Sequence, residues 1–197
     1  MRSTQNKKQS GQKISRFLNP LGWVSPFYQN PSSSNPERNP HSSMSKSNAG
    51  ELIIFDTGAL IQIHTQETFS SICVASFNQA RQVGMCYLAV PEIAGATGSM
   101  LRNRRITKKQ REHIQNFVTK QLDHWLVLPV SHRVCNLAYE LCQKHPLKGG
   151  DAIHLAAVKI LLQFRPATFL TLDKTLYEAT KKEKVPVVVI PRFEDGR

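Results

Sequence analysis

The chain has 197 residues, which is enough for one folded domain with a tail and too short for two domains of ordinary size. Its formal net charge of +12 favours a polyanionic partner such as nucleic acid. Four cysteines without a CxxC pair argue against a disulfide framework and against a structural zinc site. We find no signal-peptide core and no apolar stretch of membrane-spanning length, so we expect a cytoplasmic protein without a membrane anchor.

The first 49 residues differ in composition from the rest of the chain. They are rich in Ser, Asn, Pro, Gln and Lys and carry seven basic residues against one acid, Glu37. Such a segment cannot bury enough apolar surface to fold, so a disordered basic extension is predicted over 1–49. Met44 stands just before the globular pattern begins, and translation starting there is one hypothesis. An organelle transit peptide is the alternative.

Regular strand and helix patterns begin at residue 51. The run LIIFDTGAL over 52–60 begins as a buried strand, because its apolar residues are consecutive, as in a parallel sheet covered on both faces. Helical spacing of apolar residues over 69–80 predicts a helix, for which Gly84 is a possible stop. A second strand is predicted over 85–90, and Pro91 suits the first turn of the next helix.

The second half of the chain continues the alternation. Thr107 and Gln110 form a predicted capping box for an amphipathic helix that extends to Trp125. The remaining predicted elements are a strand over 125–130, a helix over 134–142, a deeply buried helix over 151–162, a strand over 168–173, a surface helix over 174–183 and a fifth strand over 185–190. This alternation predicts one α/β domain over 50–193, a three-layer sandwich with a central, mainly parallel sheet of about five strands.

Four acidic residues stand where these strands end or helices begin. They are Asp56, Glu92, Asp151 and Asp173. Taken singly, each has a structural explanation: a turn for Asp56, a helix-dipole interaction for Glu92, and helix N-caps for Asp151 and Asp173. In an alternating α/β chain, however, these positions converge on the crevice at the carboxyl ends of the strands.

Four converging carboxylates need a positive counter-charge. Two like charges about 4 Å apart cost on the order of 4 kcal/mol at an effective dielectric constant near 20. Mg²⁺ or Mn²⁺ fits, because these hard ions prefer carboxylate oxygens and keep bound water for chemistry. The sequence therefore predicts a metal site in which phosphate approaches acids that would otherwise repel it.

Together these segments resemble the PIN-domain nucleases, and most closely the VapC-like toxins of bacterial toxin–antitoxin pairs. The resemblance runs from about residue 52 to 190. It rests on LIIFDTGAL, on Glu92 after the second strand, on GGDAIHLAA over 149–157 and on FLTLDKTL over 169–176.

The resemblance implies a fold, an activity and a set of site residues. It implies a Mg²⁺- or Mn²⁺-dependent endoribonuclease that hydrolyses RNA phosphodiester bonds and is controlled by a small antitoxin protein covering the site. A homodimer is common among such toxins. Asp56 and Asp151 would be the primary catalytic metal ligands, with Glu92 and Asp173 completing the cluster.

The chain departs from the family pattern two residues after the first Asp. Many members carry Ser or Asn there, where this chain has Gly58. Thr57 and Thr171 are candidates to replace the missing hydrogen bond to the ligands.

A dense basic run follows Glu92 by about ten residues. It comprises Arg102, Arg104, Arg105, Lys108, Lys109 and Arg111. A solvated helix face and a phosphate-contacting surface explain it equally well, and Arg102, Arg104, Arg105 and Lys108 are the candidate substrate-binding residues. His154, near one helical turn after Asp151, could face the pocket, and a packed or exposed histidine is the simpler interpretation. Lys148 could help to hold a phosphate, and a flexible basic loop is the simpler interpretation.

Two other functions are consistent with parts of the sequence. The string DTG at Asp56 matches the active-site turn of aspartic proteases, but that family is all-β and the chain has no second DTG. A non-catalytic nucleic-acid or partner-binding module with the same fold is the other alternative, and it would be indifferent to Mn²⁺.

Overall fold

The computed structural model describes residues 51–194, which belong to one compact unit of the chain. The predicted extension over 1–49 and the possible start at Met44 lie outside the described residues. The predicted domain boundaries of 50–193 stay a prediction.

Four strands and eight helices make up the described residues. The strands are β1 (Leu52–Phe55), β2 (Gln82–Cys86), β3 (Leu126–Leu128) and β4 (Thr168–Leu170). The helices are α1 (Thr57–Gln62), α2 (Ser70–Gln79), α3 (Ala89–Arg102), α4 (Lys108–Gln121), α5 (His132–Lys144), α6 (Gly149–Leu161), α7 (Lys174–Lys182) and α8 (Pro191–Glu194).

The strands form one parallel sheet in the order β3-β2-β1-β4. In its register, Phe55 at the end of β1 lies opposite Met85 of β2 and Leu170 of β4. The carboxyl ends of these three strands are therefore level, and the residues that follow them meet at one edge of the sheet. This confirms the predicted α/β class and the parallel sheet.

The sheet is the middle of three layers, because β1 is buried on both faces. Leu52 and Ile54 pack with α5, α6 and α7 on one side, whereas Ile53 and Phe55 pack with α1, α2, α3 and α4 on the other. Consecutive side chains of a strand point to opposite faces, so an unbroken apolar run supplies both cores.

The predicted fifth strand over 185–190 is reduced to a single parallel bridge between Val187 and Phe169. Phe169 donates its N–H to the carbonyl of Pro186 at 2.8 Å and accepts from the N–H of Val188 at 2.9 Å. Pro186 has no N–H to extend the ladder, and α8 begins at Pro191. The sheet accordingly has four strands instead of about five.

Two predicted boundaries were wrong near β2. Gly84 lies inside β2 instead of ending the preceding helix. Glycine fits this position for packing reasons, because a Cβ there would come within 2.5 Å of Ile54 Cδ1 and 2.9 Å of the Leu126 carbonyl oxygen. β2 ends at Cys86 and α3 begins at Ala89, so the strand predicted over 85–90 was placed too late in the chain. Pro91 lies in the first turn of α3, as predicted. Proline is tolerated there because the first N–H groups of a helix have no intrahelical acceptor.

Other local predictions are confirmed. Thr107 and Gln110 form both hydrogen bonds of a capping box at the start of α4. α6, which contains the apolar run over 151–162, is buried along most of its length. Within residues 51–194 no helix is long and apolar enough to cross a membrane.

Candidate active site

Asp56 is the most buried of the four predicted acids, with 7% of its surface exposed. It follows β1 and caps α1: Oδ1 accepts from the N–H of Ala59 at 2.7 Å, and Oδ2 accepts from the hydroxyl of Thr171 at 2.5 Å. Burial raises the pKa of Asp56 above its ordinary value, although both hydrogen bonds oppose the rise. The carboxyl group is thus fixed in position but costly to ionise without a nearby positive charge.

Glu92 lies in the first turn of α3 and is partly exposed. Its Oε2 accepts hydrogen bonds from the Thr57 hydroxyl and from Nε2 of His154, the latter at 2.8 Å. Burial alone would raise the pKa of Glu92, but the bonds from His154 and Thr57 outweigh it and hold the pKa below its ordinary value. Glu92 therefore favours the ionised form that a metal ligand requires.

Asp151 and Asp173 complete the acidic edge. Asp151 is the third residue of α6, and burial followed by the charge of Asp173 raises its pKa. Asp173 is exposed and caps α7, with Oδ1 accepting from the N–H of Leu176 at 2.8 Å. The N-cap interpretation is confirmed for Asp173 and was wrong for Asp151, which lies inside the first turn of its helix, while Asp56 caps α1 where a turn was expected.

The structure brings the four acids to the same edge of the sheet without closing them into a ligand cage. Asp151 is within electrostatic reach of both Asp173 and Glu92. In the part of the chain that the structure describes, no three His, Cys, Asp or Glu side chains are grouped tightly enough to hold a metal ion. A buried carboxylate and two mutually repelling neighbours nevertheless fit a hard divalent cation, which would supply the missing positive charge.

The two threonines predicted to compensate for Gly58 both contact the acids. Thr57 donates to Glu92, and Thr171, which is fully buried, donates to Asp56. The Thr171 hydroxyl also accepts from the N–H of Asp173 at 3.2 Å, so one side chain connects two of the predicted ligands.

Sequence reasoning missed the role of two residues in α6. His154 is 3% exposed, as the packed interpretation expects, but its ring also binds Glu92. A Cβ on Gly150 would lie 2.9 Å from Glu92 Oε1, so this glycine permits the close approach of α3 and α6. The spacing of one helical turn between Asp151 and His154 was the available signal for the histidine.

The basic run lies apart from the acids. Arg102 ends α3 ten residues beyond Glu92, about 15 Å along the helix axis. Arg102, Arg104 and Lys108 are exposed, and Arg105 forms a salt bridge with Glu67 at 2.7 Å. At that distance Arg102 does not contact a phosphate held among the acids, but a longer nucleic-acid strand can extend from one to the other. Lys148 precedes α6 and is exposed; its charge opposes the rise in the pKa of Asp151.

The all-parallel sheet, the three layers and the acid-lined carboxyl edge define an α/β domain of the PIN-like class. The family model described as the PIN domain matches residues 53–182, more than half of the chain. The chain belongs to the PIN-domain family, and the matched region contains all four acids.

The chain is also similar to a curated protein in sequence and to solved structures in fold. The chain is 28% identical over 109 residues to Ribonuclease VapC45 of Mycobacterium tuberculosis, covering 54% of this chain and 74% of that protein. It is similar in fold to a solved structure of FitAB bound to an IR36 DNA fragment, with a TM-score of 0.52 and 16% identity over 69% of this chain and 93% of that one. A toxin–antitoxin complex from Klebsiella pneumoniae has a TM-score of 0.49 and 17% identity over 70% of this chain and 96% of that chain.

The fold disposes of the aspartic protease alternative. In that family the DTG string lies in an all-β fold, whereas here Asp56 follows a parallel strand and caps a helix.

Proposed function

We propose that this protein is a metal-dependent endoribonuclease that hydrolyses phosphodiester bonds at the acidic edge of its sheet. The observation that carries the proposal is the burial of the Asp56 carboxyl group on an edge where Asp151, Asp173 and Glu92 also gather. The ionised carboxylates on this edge repel one another, and a bound divalent cation would reduce that repulsion.

Asp56, Glu92, Asp151 and Asp173 are the residues that would hold Mg²⁺ or Mn²⁺. When bound, such an ion lowers the pKa of a coordinated water and neutralises charge on the phosphate under attack.

The chain contributes by fixing the acids before substrate arrives. Two hydrogen bonds hold Asp56 and two hold Glu92, so these carboxylates lose little freedom on binding. Asp173 is exposed and Asp151 is partly exposed, so a phosphate can approach these two acids from solvent.

RNA as the substrate is supported by the similarity to Ribonuclease VapC45 of Mycobacterium tuberculosis and by the basic run. Arg102, Arg104, Arg105 and Lys108 would contact phosphates flanking the cleaved bond, because Arg102 ends α3 about 15 Å from Glu92 and the other three follow it in the chain. The similarity to Ribonuclease VapC45 also supports a small antitoxin protein as partner and a homodimeric state. We propose that the protein acts in the cytoplasm.

The proposal is tested by incubating end-labelled single-stranded RNA with the full chain in Mg²⁺, in Mn²⁺ and in EDTA. Internal cleavage is expected with either metal and not with EDTA. Asp151→Asn should abolish it, while Asp123→Asn, an exposed acid in the turn between α4 and β3, should retain it. RNA binding without cleavage under all three conditions would instead support the non-catalytic binding module.

A further inference from the structure

Three helices meet at a single carboxylate oxygen, Glu92 Oε2. Thr57 reaches it from the start of α1 and His154 from the second turn of α6, while Glu92 itself projects from α3. The two donors are also close to each other, with 3.5 Å between Thr57 Oγ1 and His154 Nε2. Hydrogen bonds from α1 and α6 therefore hold the Glu92 carboxylate at Oε2.

The second oxygen, Oε1, is oriented differently. Among residues 51–194 it accepts no hydrogen bond, and it lies against Gly150, where an added Cβ would be only 2.9 Å away. Gly150 immediately precedes Asp151 in the first turn of α6. One oxygen of Glu92 is thus held by protein donors, while the other lies against the residue that precedes Asp151.

The burial of His154 explains why its hydrogen bond to Glu92 is costly to break. His154 is 3% exposed, whereas 34% of the Glu92 side chain is exposed. A buried ring nitrogen that lost its partner would remain unsatisfied, at a cost of about 1–3 kcal/mol. The buried His154 ring is therefore expected to keep its hydrogen bond to Glu92, and burial of the ring restricts its orientation.

We propose that His154 is a positioning residue for Glu92, which holds Oε2 so that Oε1 is presented to a divalent cation beside Asp151. Thr57 supplies the second hydrogen-bond donor to Oε2 and replaces the side-chain hydrogen bond that Gly58 cannot make. The inference rests on the proposed function, since it assigns His154 a role at the same metal site.

The test is the affinity of the full chain for Mn²⁺ alone, measured by isothermal titration calorimetry. His154→Leu, which removes the donor at similar volume, should weaken Mn²⁺ binding by about 10- to 100-fold, as loss of a group that orients a ligand typically does. His154→Gln, whose amide can donate to the same oxygen, should restore most of the affinity. In a Glu92→Gln background, His154→Leu should cause no further loss.

Equal Mn²⁺ affinity for wild type and His154→Leu would overturn the inference and leave the proposed function intact. Equally weak binding by the Leu and Gln variants would also overturn it, because packing rather than hydrogen bonding would then explain the effect. Wild-type protein that binds no Mn²⁺ would overturn the proposed function and the inference together. If thermal unfolding shows that His154→Leu is not folded, His154→Phe, which keeps a ring, replaces it with the same expected loss.

Discussion

The hydroxyl of Thr171 lies 2.5 Å from Oδ2 of Asp56, although 115 residues separate the two in sequence. This bond crosses from the end of β4 to the end of β1 and lowers the pKa of a carboxyl group that burial raises. Removing it should therefore make Asp56 still harder to ionise.

We expect Thr171→Val to destabilise the protein by about 1–3 kcal/mol, because it leaves a buried carboxyl oxygen without its donor. The acidic limb of the pH–activity profile should also move to higher pH. Thr180→Val is the matched control: Thr180 is equally buried, but its hydroxyl donates to the Leu176 carbonyl within α7. A shift of the same size in both variants would refute a specific effect on Asp56.

Asp56→Asn should stabilise the metal-free protein at neutral pH while eliminating activity. Because burial raises the pKa of Asp56, the group contributes stability that is fully present below its ordinary value of 3.8 and is lost as the pH rises through the folded-state pKa. The stability advantage of the variant should therefore grow as the pH is raised above about 4.

Urea unfolding in EDTA across this range measures the difference. Asp123→Asn is the control, since Asp123 is exposed. A constant difference between Asp56→Asn and wild type at every pH would contradict the assignment of a raised pKa.

Adjacent glycines at the start of α6 should respond differently to alanine. A Cβ at Gly150 would meet Glu92 Oε1 at 2.9 Å, whereas a Cβ at Gly149 would have no neighbour within 4 Å. Gly150→Ala should displace Glu92 and lower Mn²⁺ affinity by about tenfold or more. Gly149→Ala should leave the affinity unchanged, and equal affinities for the two variants would count against the close contact.

A network distant from the acidic edge should govern stability in acid. Glu183 accepts hydrogen bonds from Lys159 and from His145, and these bonds lower its pKa to about 2. The stabilisation is present above the ordinary value of 4.5 and is lost as the pH falls toward 2.

Glu183→Gln should cost about 1.5–3 kcal/mol at pH 7 and flatten the loss of stability between pH 4.5 and 2. Denaturant unfolding at several pH values tests this, with the exposed Glu140→Gln on α5 as control. An unchanged acid limb in Glu183→Gln would show that the network does not contribute.

The exposed arginines at the turn after α3 should contribute to RNA binding. Replacing Arg102 and Arg104 by Ala should reduce the slope of log affinity against log salt by about 1.4, since each lost single-strand phosphate contact contributes about 0.7. Arg81→Ala with Arg165→Ala makes a matched control, because both residues are exposed and precede strands at the opposite, amino edge of the sheet. An equal loss in both pairs would indicate general charge attraction rather than a binding surface.

The fold was predictable where local signals and burial agree. The consecutive apolar residues of β1 indicated a strand covered on both faces, and Thr107 with Gln110 indicated the start of α4. Gly84 was misread because its importance comes from the neighbouring strands, through contacts with Ile54 and Leu126. The segment after Val185 has strand-like composition, but only Val187 pairs with β4.

The sequence predicted at which edge of the sheet the candidate site lies, but not the contacts between its residues. The positions of Asp56 and Asp173 after parallel strands indicated that they converge, because parallel strands end together. The bond from His154 to Glu92 was not predictable, since it depends on how α3 and α6 pack. The one-turn spacing from Asp151 indicated that His154 could face the acids, but it could not identify Glu92 as the partner.

The most direct measurement of the central claim is RNA cleavage and Mn²⁺ binding followed in the same titration. The rate of cleavage by wild-type protein should rise in proportion to calorimetric Mn²⁺ occupancy, and Asp151→Asn should lose both. Cleavage that persists in EDTA, or that is unrelated to Mn²⁺ occupancy, would contradict a metal-dependent nuclease at this acidic edge.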